Sequence, residues 1–341
     1  MLKNFLRGSI RIFKLSRDYK MGKIKLDNLP TRLWIEPTNS CNLKCVMCPQ
    51  RLNKSKKGFM DFEVYKKIIN EAKDFAIDIN LFLGGESFMH PKIIEMIKYA
   101  KDNGLRVRFE SNATLLTKKL SEEIIKNKVD FISFSFDGYT KEEYERIRVN
   151  ANYEKTLSNI LNFLKIKRSM KSKYPYTLIQ IIEIKTPKGI NKKIKEKFLQ
   201  KFYGLPLNGF SIVKPHRFGG QIEENVTGSK YAYTDDKIVK YNPCPYLWMS
   251  MNILWDGWVV PCCIDQFGKY KIGNVKNESL KSMWNNKKMI HIREKLISKK
   301  YNELPLCKNC DFLWQKTFRG ISTKNIKDFG TYVKENVKPM I

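Results

Sequence analysis

Eight cysteines in two groups are the residues of this chain best suited to chemistry. Cys41, Cys45 and Cys48 stand in Glu36-Pro37-Thr38-Asn39-Ser40-Cys41-Asn42-Leu43-Lys44-Cys45-Val46-Met47-Cys48, three thiols within eight residues. A closed structural zinc site takes four ligands, and no fourth cysteine or histidine lies nearby. Three soft thiolates in one loop instead suit a 4Fe-4S cluster with one iron left without a protein ligand, open to a substrate. The second group, Cys244, Cys262, Cys307 and Cys310, contains the spacings C-x17-C and C-x2-C. Four thiolates can close around a zinc ion or a 4Fe-4S cluster, and the spacing leaves both open. Cys263, beside Cys262, reads as an alternate ligand, a small buried side chain or a residue facing substrate. His90, His216 and His291 match no ligand spacing.

The chain that must position these thiols has 341 residues, 42% of them hydrophobic, which is enough to bury a core and too much for disorder. With Gly 18, Pro 13 and Cys 8, collagen-like and disulfide-scaffold classes are excluded. No run of about 18 apolar residues is present to span a bilayer. Basic residues interrupt the apolar ones near the N-terminus, so no secretory signal is expected, and clustered cysteines then read as metal ligands in a reducing compartment. The expectation is a cytoplasmic protein with peripheral membrane contact through residues 1–30. There Lys3, Arg7 and Arg11 recur four apart while Leu2, Leu6, Ile10 and Phe13 form another stripe. The formal charge is +30. Residues 31–150 are nearly balanced, so the excess sits on the periphery, where it suits an acidic partner, an anionic or lipid-linked substrate, or a reducing flavoprotein.

Between residues 31 and 215 short β-rich runs alternate with helix-period stretches. Strands are expected at Arg32–Glu36, Ile77–Leu83, Leu105–Glu110, Asp130–Phe136, Tyr176–Ile184 and Gly209–Lys214. Helices are expected at Asp61–Phe75, Pro91–Asn103, Thr117–Lys126, Tyr153–Lys167 and Asn191–Phe202, with Pro91 in a first helical position and Gly104 as a C-terminal stop. This alternation predicts a parallel sheet with crossover helices, too short for an eightfold barrel. Further on, Tyr246–Leu254 and Gly257–Pro261 read as a hairpin through Trp255-Asp256-Gly257-Trp258, followed by one helix over Ser279–Ser298.

The C-x-x-x-C-x-x-C loop after the first strand resembles that of radical S-adenosylmethionine (SAM) enzymes. The region from Cys244 resembles their SPASM/twitch auxiliary domain in its single-cluster form. The resemblance implies an α/β fold: a partial (β/α)6 radical SAM barrel followed by a small α+β twitch/SPASM-like cluster domain. Its expected parts are a basic N-terminal segment (1–30), the barrel (31–215), a linker (216–243), the cluster domain (244–315) and a basic C-terminal segment (316–341). By the same resemblance Cys41, Cys45 and Cys48 hold a 4Fe-4S cluster completed by exchangeable S-adenosyl-L-methionine. Met47, where many members have an aromatic residue, packs on the adenine. Gly84, Gly85 and Glu86 hold the methionine amino group, and Ser111, Asn112 and Ser135 contact the ribose and methionine end. Arg148 pairs with the methionine carboxylate, with Arg146 as rival, and Gln180 also reaches toward the cofactor. Cys244, Cys262, Cys307 and Cys310 hold one auxiliary 4Fe-4S cluster, with zinc as the alternative.

The implied activity is reductive cleavage to a 5′-deoxyadenosyl radical, which takes a hydrogen atom from an unactivated C–H. The expected reaction is a two-electron oxidation of a sugar or aminocyclitol alcohol, or a peptide modification, with electron transfer to the auxiliary cluster. Small-molecule, peptide or lipid-linked substrates and a flavodoxin or ferredoxin donor are the implied partners. Glu183, Lys214 and Arg217 are candidate bases that the sequence does not separate. A basic membrane-surface or nucleic-acid-associated protein with structural metal sites is the alternative, and no nucleic-acid-binding signature supports it.

Overall fold

The computed structural model describes residues 2–184, 191–223, 240–315, 317–318 and 321–322. Most of the expected linker (224–239), nearly all of the C-terminal segment and the side chains of residues 2–9 lie outside the described residues. In chain order the elements are α1 (Leu2–Lys20), β1 (Arg32–Ile35), α2 (Phe62–Ala72), β2 (Asp78–Asn80), α3 (Ile93–Asp102), β3 (Arg106–Ser111), α4 (Lys118–Lys126) and β4 (Phe131–Ser135). There follow α5 (Lys141–Ile147), α6 (Tyr153–Ser169), β5 (Tyr176–Ile182), α7 (Lys192–Gln200), β6 (Gly209–Val213) and β7 (Lys240–Tyr241). The C-terminal region adds α8 (Tyr246–Met249), β8 (Ser250–Ile253), β9 (Trp258–Val260), β10 (Gly273–Asn274), α9 (Leu280–Trp284) and α10 (Lys287–Ile297).

The chain forms two compact units, one of Met1–Cys41, Asn53–Phe109 and Pro243–Lys308, the other of Asn42–Leu52, Glu110–Asn242 and Asn309–Ile341. In the first, β1 pairs in parallel with β2 on one side and with β8 on the other, β2 pairs with β3, and β8 turns back antiparallel to β9. One sheet face carries Leu33, Ile35, Ile79, Val107, Met251 and Ile253, all essentially inaccessible. Alternation sends Arg32, Trp34, Asp78, Asn80, Ser250 and Asn252 to the opposite face, which is polar. There Arg32 grips Asp78 through two contacts of 2.5 and 2.6 Å. Burial works against the Asp78 carboxylate, yet Arg32, with Arg108 and Arg106, holds its pKa below the ordinary value. The second unit holds the parallel strands β4, β5 and β6.

Local chemistry explains most boundaries. Asp61 caps α2 by accepting the Glu63 and Val64 N–H groups, and Tyr65, Ile68, Ile69 and Ala72 bury one helical face. Thr117, Asn152 and Asn191 cap α4, α6 and α7 in the same way. Gly104 stops α3 at φ +77°. Four expectations need correction. Pro91 is not the first residue of α3, which begins at Ile93 after a turn in which His90 Nδ1 accepts the Lys92 N–H. Strand β2 is only Asp78–Asn80. The stretch Tyr246–Met249 is a helical turn, and the hairpin is confined to β8 and β9 around Gly257 at φ +89°. The single helix expected over Ser279–Ser298 is two, because Asn285 bonds both backbone groups of Leu26 while Asn286 caps a new helix through the Met289 N–H.

Candidate active site

The cysteine loop is fixed at its start by backbone and hydroxyl contacts. Glu36 N–H donates to Ile253 O, Thr38 Oγ1 donates to Gly58 O, and Ser40 N–H donates to Thr38 Oγ1. In the second unit Lys44 N–H donates to Val149 O and Val46 N–H to Ile147 O, both at 3.0 Å, so Cys45 lies between two bonds to the segment carrying Arg148. Cys45 and Met47 pack in an apolar cluster with Leu43, Ile147 and Ile184. Cys41 is exposed and Cys48 half-buried, and none of the eight cysteines is in a disulfide.

Arg148, 7% exposed, contacts Asp137 Oδ2 at 2.5 Å and Cys45 Sγ at 3.7 Å. Burial opposes its charge, but Asp137, Cys45 and Tyr144 outweigh this and raise its pKa, so the guanidinium stays protonated. Burial pushes the Cys45 thiol up, with Arg148 acting against it. Arg148 Nε has no hydrogen-bond partner among the described residues, which leaves one buried donor for an incoming acceptor. Asp137, fully buried, also accepts the Ile182 N–H at 2.6 Å.

The other expected cofactor residues lie at strand ends. Gly85 is pressed against the cysteine loop: a Cβ there would stand 2.3 Å from Thr38 O and 2.4 Å from Ser40 O. Glu86, 3% exposed, donates its N–H to Ser40 O, and its carboxylate accepts the Phe88 N–H at 3.3 Å. Gly84 precedes this turn. Ser111 Oγ accepts the Ala113 N–H, while Asn112 Nδ2 donates to Asn42 Oδ1 and Asn42 Nδ2 to Thr114 Oγ1, tying the end of β3 to the cysteine loop. Ser135 and Gln180 are register partners at the carboxyl end of β4 and within β5. Glu183 accepts from Tyr139 Oη at 2.7 Å and Lys195 Nζ at 3.1 Å, Arg217 Nε donates to Ile222 O, and Lys214 is exposed. His90 uses both ring nitrogens on backbone groups.

Sequence reasoning passed over Asp137, Asn42 and Glu36. Their signal was an acid or amide placed where a strand enters a loop. Glu36, 1% exposed, accepts the Trp255 N–H at 3.0 Å, and burial pushes its pKa up to about 7.

Of the second cysteine group, Cys244, Cys262 and Cys307 belong to the first unit and Cys310 to the second. Burial, with Asp265 nearby, pushes the Cys307 thiol up to about 12. Among the described residues no three His, Cys, Asp or Glu side chains gather closely enough for a single metal ion. A four-iron cluster takes thiolates set around a larger body, and the all-sulfur donor sets fit that group.

Residues 35–180 match the Radical SAM superfamily and residues 244–311 match SPASM, an iron-sulfur cluster-binding domain. The chain is thus a radical SAM enzyme with a C-terminal SPASM domain, and its fold is the expected α/β barrel type. These domains bring a 4Fe-4S cluster, S-adenosylmethionine and an auxiliary cluster. The tungsten-containing aldehyde ferredoxin oxidoreductase cofactor-modifying protein of Pyrococcus furiosus is 23% identical over 82% of this chain and 86% of its own. An AdoMet-dependent heme synthase of Methanosarcina barkeri is 32% identical over 40% of each chain. Among solved structures, BtrN in complex with AdoMet and 2-DOIA superposes with TM-score 0.57 at 17% identity, over 84% of this chain and 94% of that one. Streptococcus suis SuiB bound to precursor peptide SuiA superposes with TM-score 0.64 at 16% identity, over 87% and 74%. No helix among the described residues is long and apolar enough to cross a membrane.

Proposed function

We propose that this enzyme takes a hydrogen atom from an unactivated C–H of an alcohol-bearing small molecule and completes a two-electron oxidation. When bound, S-adenosylmethionine and the first cluster would supply a 5′-deoxyadenosyl radical and the auxiliary cluster an electron acceptor; the alcohol carbon becomes a carbonyl by giving up one hydrogen atom, one proton and one electron. Cys41, Cys45 and Cys48 are our ligands for the first cluster; Cys244, Cys262, Cys307 and Cys310 are those for the second. The observation that carries the reading is the cysteine loop zipped to residues 147–149 with Arg148 against Cys45. A loop held by backbone bonds presents thiolates in fixed geometry, and a buried cation offsets the negative charge gathered there.

Arg148 Nε, without an acceptor among the described residues, is our partner for the methionine carboxylate. Glu86 and the Gly84–Gly85 turn are our amino-group site, and Ser111, Asn112 and Ser135 our ribose and methionine contacts. Met47, buried among Leu43, Ile147 and Ile184, is our adenine contact. For the hydroxyl proton, Glu183 is our base, because Tyr139 and Lys195 hold its carboxylate in place. BtrN, crystallised with AdoMet and 2-DOIA, and SuiB, bound to precursor peptide SuiA, share the fold, so a peptide substrate is the second reading.

Anaerobic reconstitution tests this. We expect roughly eight iron atoms per chain and a cluster signal altered by S-adenosylmethionine. Bound zinc without iron would contradict it.

A further inference from the structure

Four buried polar atoms on the polar sheet face of the first unit lack a hydrogen-bond partner among the described residues: Trp34 Nε1, Asn80 Oδ1, and both amide atoms of Asn252. Asn80 is 2% exposed and Asn252 0%. Trp34 is the register partner of Asn80 in β2 and of Asn252 in β8, so the three side chains stand side by side across three strands. With strands about 4.8 Å apart, the row is about 10 Å long. Leaving such groups unsatisfied is costly and asparagine is a poor strand residue, so folding alone gives no reason for this row.

Its surroundings define what it would bind. Phe82, on the same face two residues after Asn80, meets Trp34 edge to face at 4.9 Å, and both rings are partly exposed. In the adjacent row Arg32 pairs with Asp78, whose other register partner is Arg106. Arg108, register partner of Asn80, adds one cation at the far end. Uncharged donors and acceptors beside aromatic surface match a ring with hydroxyls on its rim and C–H bonds on its faces.

We propose that Trp34, Asn80 and Asn252 form the binding row for a polyhydroxylated six-membered ring, the substrate of the reaction above. The proposal rests on that reading and names its substrate class. The amides take the hydroxyls and the aromatic rings take the ring face.

The test titrates scyllo-inositol, and separately N-acetylglycinamide, into anaerobically reconstituted holoprotein by saturation-transfer NMR. Binding of scyllo-inositol should weaken at least tenfold in Asn252→Leu and Asn80→Leu, with thermal stability unchanged or raised because an unsatisfied amide is removed. N-acetylglycinamide should not bind. Serine at either position should weaken binding likewise. The proposal is overturned by wild-type protein that binds no inositol, by variants that bind it equally, by loss of stability in both leucine variants, or by preferred binding of the amide. Iron content and 5′-deoxyadenosine are measured on the same sample. Protein without iron overturns the functional reading, whereas loaded, active protein that ignores inositol overturns this proposal alone.

Discussion

At the scale of single residues, Asp137 and Arg148 form the costliest interaction in the site. Both are buried and in direct contact, and Cys45 is a second group of negative charge beside Arg148. Removing one partner strands the other charge, a loss of about 3–5 kcal/mol. Asp137→Asn should therefore lower the free energy of unfolding by that amount in denaturant titration; a change below 1 kcal/mol would mean the pair is not formed. Glu36 gives a pH signature. Its folded pKa, about 7 through burial, lies above the usual carboxylate value of 4.5. Protonation thus favours the folded state: the contribution is full below pH 4.5 and lost as pH rises through 7. The shift is worth about 3 kcal/mol. Glu36→Gln keeps an acceptor for the Trp255 N–H, so its melting temperature relative to wild type should climb between pH 5 and 7.5. A difference that does not vary with pH would refute this.

At the scale of elements, the turn after β2 and the cysteine loop meet with no room for a side chain at Gly85. Both blocking atoms are backbone carbonyls, so Gly85→Ala must displace one of the two segments, at about 1–3 kcal/mol. We expect a lower melting temperature and reduced iron retention on gel filtration; full retention would show that the loop tolerates the shift. The six barrel strands and five of their helices were legible in the sequence because strand runs, capping residues and Gly104 agree locally, whereas the short α5 (Lys141–Ile147), capped by Thr140, was passed over. What was not legible depends on distant partners. Asn285 breaks the last long helix because Leu26, far away in sequence, uses it. The pairing of β8 with β1 has no local signal at all. In the site, cysteine spacing was readable, whereas the bond of Asn112 to Asn42 and the capping of Phe88 by Glu86 required the folded backbone.

At the scale of the molecule, the +30 charge is partly offset once clusters and their thiolates are counted. Some of the N-terminal basic pattern is structural: Arg11 donates to the carbonyls of Phe75 and Asp74, and Leu15 on the same helix is buried. Ile10 and Phe13 remain exposed on α1. The central claim is that the first cysteine loop, and not the second group, drives radical formation. The most direct measurement is 5′-deoxyadenosine produced by reduced, reconstituted protein with S-adenosylmethionine. The account predicts product from wild type, product from Cys307→Ser, and none from Cys45→Ser. No product from iron-loaded wild type, or undiminished product from Cys45→Ser, would contradict it.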